Sequence, residues 1–220
     1  MYSLPYFKEK DPGLIREFMH QHPFITLCGS DKAGNPVATH VPVLLREENG
    51  QLLLRGHIMK KTDHHLAFME NPRVLALFTG ANTYVSASWY SNPLSGSTWN
   101  YMTVHVKGQI RFLEEEALPV LLRDLTAHFE NNDNSPALFE KLPAEYISQM
   151  IRAIVAFEIE VQEMDNVFKL SQNRDEQSFH AIIEKLEQQG GNGSIIAGEM
   201  SKRAATLFEN GTVKTQSPGT

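Results

Sequence analysis

The chain has 220 residues, of which 41% are hydrophobic and 21% are charged, and its formal net charge is −6. This length can bury a sizeable core, and the composition is typical of a globular protein rather than a disordered one. The negative charge disfavours broad electrostatic binding to nucleic acid, so DNA is a partner that the charge does not support.

Cysteine usage and the N-terminal composition predict the compartment. Cys28 is the single cysteine, so no internal disulfide can form. Charged residues stand near the N-terminus where a signal peptide would be apolar, and no apolar run reaches membrane-spanning length. We therefore expect a soluble, cytoplasmic protein that does not bind a membrane.

Turn and capping residues divide the first third of the chain into helices and strands. Asp11-Pro12 is typical of a helix start, and Pro23 ends that helix. Asn49-Gly50 between two apolar runs strongly indicates a β-hairpin. The strands predicted here are 24–28, 37–45 and 51–58, and a short helix follows at 62–70.

The rest of the chain mixes strands with amphipathic helices. The predicted strands are 74–79, 83–88, 101–112, 154–161 and 167–170, the last two around a turn at Asp165-Asn166. The predicted helices are 114–131, 143–154, 175–189 and 194–209. Because no βαβ alternation is present, a mainly β fold with helices (α+β), built on a barrel, is favoured over a parallel sheet. We predict one domain over 1–209, with its last helices as an appendage, and a polar tail over 210–220.

Aromatic residues cluster at two strand ends. Trp99-Asn100-Tyr101 enters a predicted strand, and a second cluster with Trp89 lies at 84–90. A planar ring, an amide and a phenol are suited to a flat ligand with polar edges. Core aromatics at strand ends are the alternative, and the presence of two clusters favours a site.

Two polar segments carry further candidate groups. Lys60-Lys61-Thr62 enters a predicted helix, and two ammonium groups with a hydroxyl there are suited to a phosphate. A solvated turn is the alternative. The segment 169–174 ends a late strand, and it is either a ligand contact or a helix-capping turn.

The histidines and serines do not predict a metal site or a nucleophile. His64 and His65 are adjacent, so they point to different sides of a helix and do not readily bind one ion together with His57. No nucleophile-elbow sequence is present. We therefore expect no metal, and the sequence assigns no catalytic residue.

In their order and spacing these segments resemble the PaiB-type FMN-binding negative transcriptional regulators, a family of the FMN-binding split-barrel group. The resemblance runs from residue 1 to about residue 200. The segments that carry it are Tyr6-Phe7, 36–42, Gly56-His57 with the following lysines, 84–90, 98–108 and 168–173.

The resemblance implies a split β-barrel that forms a homodimer and binds FMN near the subunit interface. It implies that Thr39-His40-Val41-Pro42 line the flavin ring and that Lys60, Lys61 and Thr62 hold the phosphate. The other cofactor-binding residues that it implies are His57, Trp99, Asn100, Tyr101, Lys169, Gln172 and Asn173. Oxidases of the wider fold carry an arginine-lysine pair at the phosphate, whereas this chain has two lysines, which predicts weaker binding.

The same resemblance implies a negative transcriptional regulator. The predicted last helix carries only Lys202 and Arg203 as cations, so no basic recognition helix supports direct DNA binding. A flavin-dependent oxidoreductase or a haem-handling protein of the same fold is the alternative. A third hypothesis is a DNA- or partner-binding module that has lost its flavin.

Overall fold

Antiparallel strands and peripheral helices make up the computed structural model, which describes residues 1–208. The strands are β1 Phe24–Ser30, β2 Pro36–Pro42, β3 Leu44–Glu48, β4 Gln51–Met59, β5 Arg73–Val85, β6 Thr98–Phe112 and β7 Ile154–Lys169. The α-helices are α1 Pro12–Gln21, α2 Asp63–Glu70, α3 Ala117–Glu130, α4 Ala144–Ala153, α5 Glu176–Gln189 and α6 Asn192–Phe208. The predicted mainly β class with helices is confirmed.

The seven strands form one sheet in the order β2-β1-β5-β6-β7-β4-β3. The pairs β1–β2, β1–β5, β3–β4 and β4–β7 are antiparallel. In the last pair Arg55 lies opposite Glu158 and His57 lies opposite Ala156, so these four side chains share one face of the sheet. No helix in residues 1–208 combines the length and the apolar character needed to cross a membrane.

The chain divides into two compact units. Among the described residues, unit 1 comprises 1–15, 79–104 and 166–208, and unit 2 comprises 16–78 and 105–165. The single domain predicted over 1–209 stays a prediction, and the polar tail predicted over 210–220 lies outside the described residues.

The core of unit 1 lies partly between its two last helices. Helices α5 and α6 pack together, and their facing side chains are fully buried because apolar residues recur at helical spacing. These residues are Phe179, Ile182, Leu186, Ile196 and Met200.

In unit 2, helix α3 covers the sheet face that carries Leu44 and Ala156. Its leucines form a buried cluster with these two residues and with Phe139. Residues 44 and 156 sit on the same face as Arg55 and Glu158 because they pair in register with β4. The charged pair therefore lies on the sheet face that α3 covers.

Three predicted element boundaries are wrong. The predicted strand 37–45 is broken at Val43, whose N–H donates to the Pro23 carbonyl at 2.9 Å between β2 and β3. The predicted strands 74–79 and 83–88 fall on one strand, β5, which ends at Val85 before a 3-10 helix at Ala87–Trp89. The predicted strands 154–161 and 167–170 likewise fall on one strand, β7, which ends at Lys169. The turn predicted at Asp165-Asn166 is absent because the buried Asn166 side chain bonds to both backbone groups of Glu9 instead of closing a local turn.

Candidate functional site

The start of helix α2 in unit 2 is capped by its own side chains. Thr62 is the N-cap, and its hydroxyl oxygen accepts from the His65 N–H at 3.3 Å and donates to the Met59 carbonyl at 3.1 Å. The Asp63 carboxylate accepts from the His64 N–H at 2.7 Å. Because these amides are already bonded, an anion at this position would depend on the lysine side chains rather than on the helix terminus.

Lys60 and Lys61 present two adjacent ammonium groups. Lys60 is half-buried, Lys61 is exposed, and neither has a carboxylate partner in the part of the chain that the structure describes. The backbone of Lys61 is left-handed, with φ of 65°, and its N–H donates to Nδ1 of His65 at 3.2 Å. Burial, helped by the charges of His64 and Lys60, lowers the pKa of His65, which keeps Nδ1 available as an acceptor.

Strand β2 places the Thr39–Pro42 segment beside β4 and α2. Thr39 and Pro42 are half-buried, His40 is exposed and Val41 is buried. The His40 ring stacks on Phe24, with the ring centroids 6.2 Å apart. The predicted flavin-lining strand and the two lysines therefore lie within the same unit.

His57 occupies the opposite face of β4 from Gly56. A Cβ on Gly56 would lie 2.8 Å from the Pro42 carbonyl oxygen, so this face of β4 approaches the end of β2. His57 instead shares its face with Arg55 and Ala156. Its Nδ1 is buried without a hydrogen-bond partner among the described residues, and burial lowers the pKa of the ring. A buried nitrogen without a hydrogen bond indicates that a polar partner is missing. His57 does not face Pro42, so that partner is not on the side of β4 that approaches the predicted flavin-lining segment.

Unit 1 contains an exposed aromatic surface on β6. The side chain of Trp99 is 54% exposed and meets Tyr84 edge-on, with ring centroids 6.1 Å apart. Tyr101 lies two residues further on, on the same face of the strand, and is half-buried. Burial raises the pKa of Tyr101, and the nearby Tyr2 adds to this rise.

Lys169 is a buried ammonium group that contacts only neutral partners. Its Nζ donates to the Thr98 hydroxyl and to the Trp99 carbonyl, the latter at 2.7 Å, and lies 5.7 Å from the centre of the Phe7 ring. Burial, together with the charge of Arg174, lowers the pKa of Lys169. The site therefore favours either a neutral amine or a ligand that brings negative charge.

The side-chain amides of Asn100 and Gln172 already form hydrogen bonds within unit 1. Asn100 is completely buried, its Oδ1 accepts from the Ser171 hydroxyl at 3.0 Å, and its Nδ2 contacts the Met200 sulfur at 3.5 Å. Gln172 bonds to the backbone at Leu170 and Phe168. Asn173 is exposed. Asn100 and Gln172 therefore fix the shape of this region, while the side chains of Trp99, Tyr101 and Asn173 stay accessible.

The lowered pKa of Lys169 predicts a pH-dependent stability. Between its folded pKa and the ordinary lysine value of 10.5, the unfolded chain binds a proton that the folded chain lacks, so the stability of the protein rises with pH. We expect the unfolding free energy of the native protein, minus that of Lys169→Met, to increase over this window in urea titrations.

Lys107→Met is the matched control for this measurement. The pKa of Lys107 is raised by its hydrogen bond to Glu163, so the corresponding difference should fall, not rise, at high pH. A Lys169 difference that stays constant with pH would contradict a desolvated ammonium group at this position.

The sequence reasoning missed a charged cluster in unit 2. Buried Glu158 joins Arg55 and Arg111, with Arg55 Nε 2.6 Å from Oε2 and Arg111 Nη2 2.5 Å from Oε1. The detectable signal was a glutamate inside the apolar run 154–159. Within residues 1–208 no group of three or more His, Cys, Asp or Glu side chains could hold a metal ion.

Sequence comparison assigns most of the chain to one family. Residues 1–163 match the family model described as "Putative FMN-binding domain". The chain is also 31% identical, over 189 residues, to protease synthase and sporulation protein PAI 2 of Bacillus subtilis. The aligned region covers 86% of this chain and 90% of that protein.

Solved structures with lower identity share the fold. The FAD and heme binding protein of Mycobacterium smegmatis superposes with a TM-score of 0.55 at 16% identity, over 74% of this chain and 73% of that one. The flavocytochrome Anf3 of Azotobacter vinelandii gives 0.54 at 12% identity, over 76% and 72%. The predicted split-barrel fold is confirmed by such neighbours. The chain belongs to the PaiB-type family of FMN-binding-domain proteins, which includes PAI 2 of Bacillus subtilis.

Proposed function

We propose that this chain binds FMN and that Lys60 and Lys61 hold its phosphate. The observation that carries this proposal is the pair of adjacent ammonium groups without a carboxylate partner among the described residues. A phosphate monoester brings negative charge and several acceptor oxygens, which match two lysine point charges. Thr62 adds a hydroxyl beside them, although that group already bonds to Met59.

The aromatic surface of unit 1 supports binding of a planar ring. Trp99 and Tyr84 expose large ring faces to solvent, and an exposed aromatic pair is typical of a binding surface. The Lys169 ammonium group donates a hydrogen bond to the Trp99 carbonyl and has no carboxylate partner in residues 1–208. Its ammonium group would favour a ligand that carries or gains negative charge.

Two strained backbone positions add support within the implied cofactor segments. Lys61 and Ser171 are non-glycine residues with φ of 65° and 62°. This left-handed conformation costs free energy for residues with a Cβ and often occurs at functional sites. The resemblance assigns Lys61 itself to the phosphate, and Ser171 directly precedes Gln172, another residue that it assigns to cofactor binding.

Because the chain resembles the PaiB-type regulators, we also propose that it forms a homodimer and acts as a negative transcriptional regulator. Direct DNA contact through α6 is disfavoured because its cations are neutralised. Lys202 and Arg203 both pair with Glu199, at 2.6 and 2.7 Å, and Arg203 also pairs with Glu9 at 3.2 Å. We therefore propose that flavin or partner binding, rather than a basic helix, transmits the regulatory signal.

Haem handling is the second candidate function. Exposed His40 on β2, stacked on exposed Phe24, offers an accessible imidazole beside an apolar ring. One solved structure with the same fold is described as an FAD and heme binding protein. A haem titration that shifts the Soret band in the native protein, but not in His40→Ala, would favour this candidate over FMN.

Competition between flavins tests the assignment of FMN. Riboflavin shares the ring system of FMN but lacks the phosphate, so we expect it to bind at least about tenfold more weakly. Bound flavin is followed by fluorescence, with FAD as a third competitor. Equal affinities for FMN and riboflavin would refute the lysine phosphate site, and a clear preference for FAD would refute FMN as the cofactor.

A further inference from the structure

A charged cavity of about 310 Å³ lies in unit 2 between helix α3 and the sheet. Apolar residues, among them Leu44, Leu113 and Leu121, form part of its walls. Its charged groups are Arg46, Arg55, Arg111, Asp124 and Glu158. Ligand pockets commonly combine such apolar walls with a few converging polar groups.

The carboxylates of the cavity already have partners. Both oxygens of buried Glu158 are occupied, Oε2 by Arg55 and Oε1 by Arg111. Asp124 Oδ2 accepts from Arg46 at 2.8 Å. Glu48 is not part of the lining, and its Oε1 lies 2.8 Å from Nη1 of Arg55. The acidic groups are therefore engaged in ion pairs and do not attract a cation.

The arginines, in contrast, keep hydrogen-bond donors available. A guanidinium group has five N–H donors. Arg46 gives one nitrogen, Nη2, to Asp124, and Arg111 gives Nε and Nη2 to Glu158. Both arginines line the cavity and their side chains are 41% and 66% exposed, so their other donors are open to a ligand from solvent. The lining thus has surplus donors that match an acceptor-rich, anionic group.

We infer that this cavity binds a small organic carboxylate whose apolar chain lies against the leucines and whose head group is held by Arg111 and Arg46. Arginine binds carboxylates through two parallel N–H bonds, which gives the head group a defined orientation. An apolar chain gains free energy by leaving water for the leucine walls. The site uses none of the residues proposed for FMN, so its failure would leave that proposal intact.

Hexanoate is a suitable probe because it combines one carboxylate with a short apolar chain. We expect hexanoate to raise the thermal unfolding midpoint of the full chain in a saturable way. Acetate lacks the chain and hexanol lacks the charge, so both should be much less effective. Equal effects of the three compounds, or no saturable effect of hexanoate, would overturn the inference.

Two variants of lining residues and one control variant test whether hexanoate binds in this cavity. Arg111→Gln should weaken hexanoate by at least about tenfold because it removes a charge-assisted donor pair. As a control, Arg123→Gln on helix α3, which lies outside the lining and is paired with Glu140, should bind hexanoate like the native protein. Val120→Phe adds bulk at an exposed lining position and should block the chain while leaving all ion pairs in place. Unchanged hexanoate binding in both Arg111→Gln and Val120→Phe would refute this site.

Discussion

Replacing Gly108 with alanine is expected to lower the unfolding free energy by about 3 kcal/mol. Gly108 lies on β6, and a Cβ there would collide with the Glu160 carbonyl oxygen and lie 2.9 Å from Cγ2 of Ile159. Both obstacles belong to the neighbouring strand β7, and a backbone carbonyl cannot rotate away as a side chain can. The two strands would have to separate within unit 2, which weakens the packing of β6 against β7.

Urea unfolding followed by circular dichroism measures this effect. Gly198→Ala is the matched control, because a Cβ at that position on helix α6 meets no atom within 4 Å. Removing a helical glycine there should stabilise the protein by roughly 0.5–1 kcal/mol. A Gly108→Ala protein with the midpoint of the native protein would show that β6 and β7 do not approach as closely as described.

The double substitution Lys60→Ala and Lys61→Ala is expected to weaken FMN by roughly tenfold to hundredfold. Each lysine would contribute a charge-assisted bond to the phosphate, and exposed Lys61 should contribute less than half-buried Lys60 because water screens it. Fluorescence titrations with FMN and riboflavin measure the change. The loss should be confined to FMN, because riboflavin has no phosphate for these lysines to bind.

Lys32→Ala with Lys185→Ala removes the same net charge at two exposed positions that are not assigned to cofactor binding. This control should bind FMN like the native protein, whereas Lys60→Arg with Lys61→Arg should preserve or improve binding because arginine forms bidentate phosphate contacts. If the Lys60 and Lys61 alanine variant retains native FMN affinity, the phosphate is held elsewhere.

Local sequence signals predicted the helices and the hairpins because capping and turn residues act over a few positions. Helix α1 begins at Pro12 as Asp11-Pro12 predicts, with the Asp11 carboxylate accepting from the Gly13 N–H, and Asn49-Gly50 joins β3 to β4. The predicted break within β7 is wrong because asparagine favours turns in a local sequence pattern, whereas distant partners can hold it in a strand. In the fold, Asn166 is bonded to Glu9, a partner 157 residues away that no local pattern indicates.

The candidate site was predictable in residue type but not in geometry. The lysine pair and the tryptophan cluster stand out as sequence patterns, whereas burial decides what each group can still do. Asn100 was a plausible ligand contact from its neighbours, yet it is buried and bonded to Ser171. The Arg55–Glu158 pair depends on the register between β4 and β7, which pairs residues 103 positions apart.

Titration of the desalted protein with FMN, followed by flavin fluorescence, tests the central claim most directly. We predict saturable quenching with about one FMN bound per chain, as the proposed single phosphate site requires. Quenching that never saturates, or no change at high micromolar FMN, would contradict FMN binding by this chain.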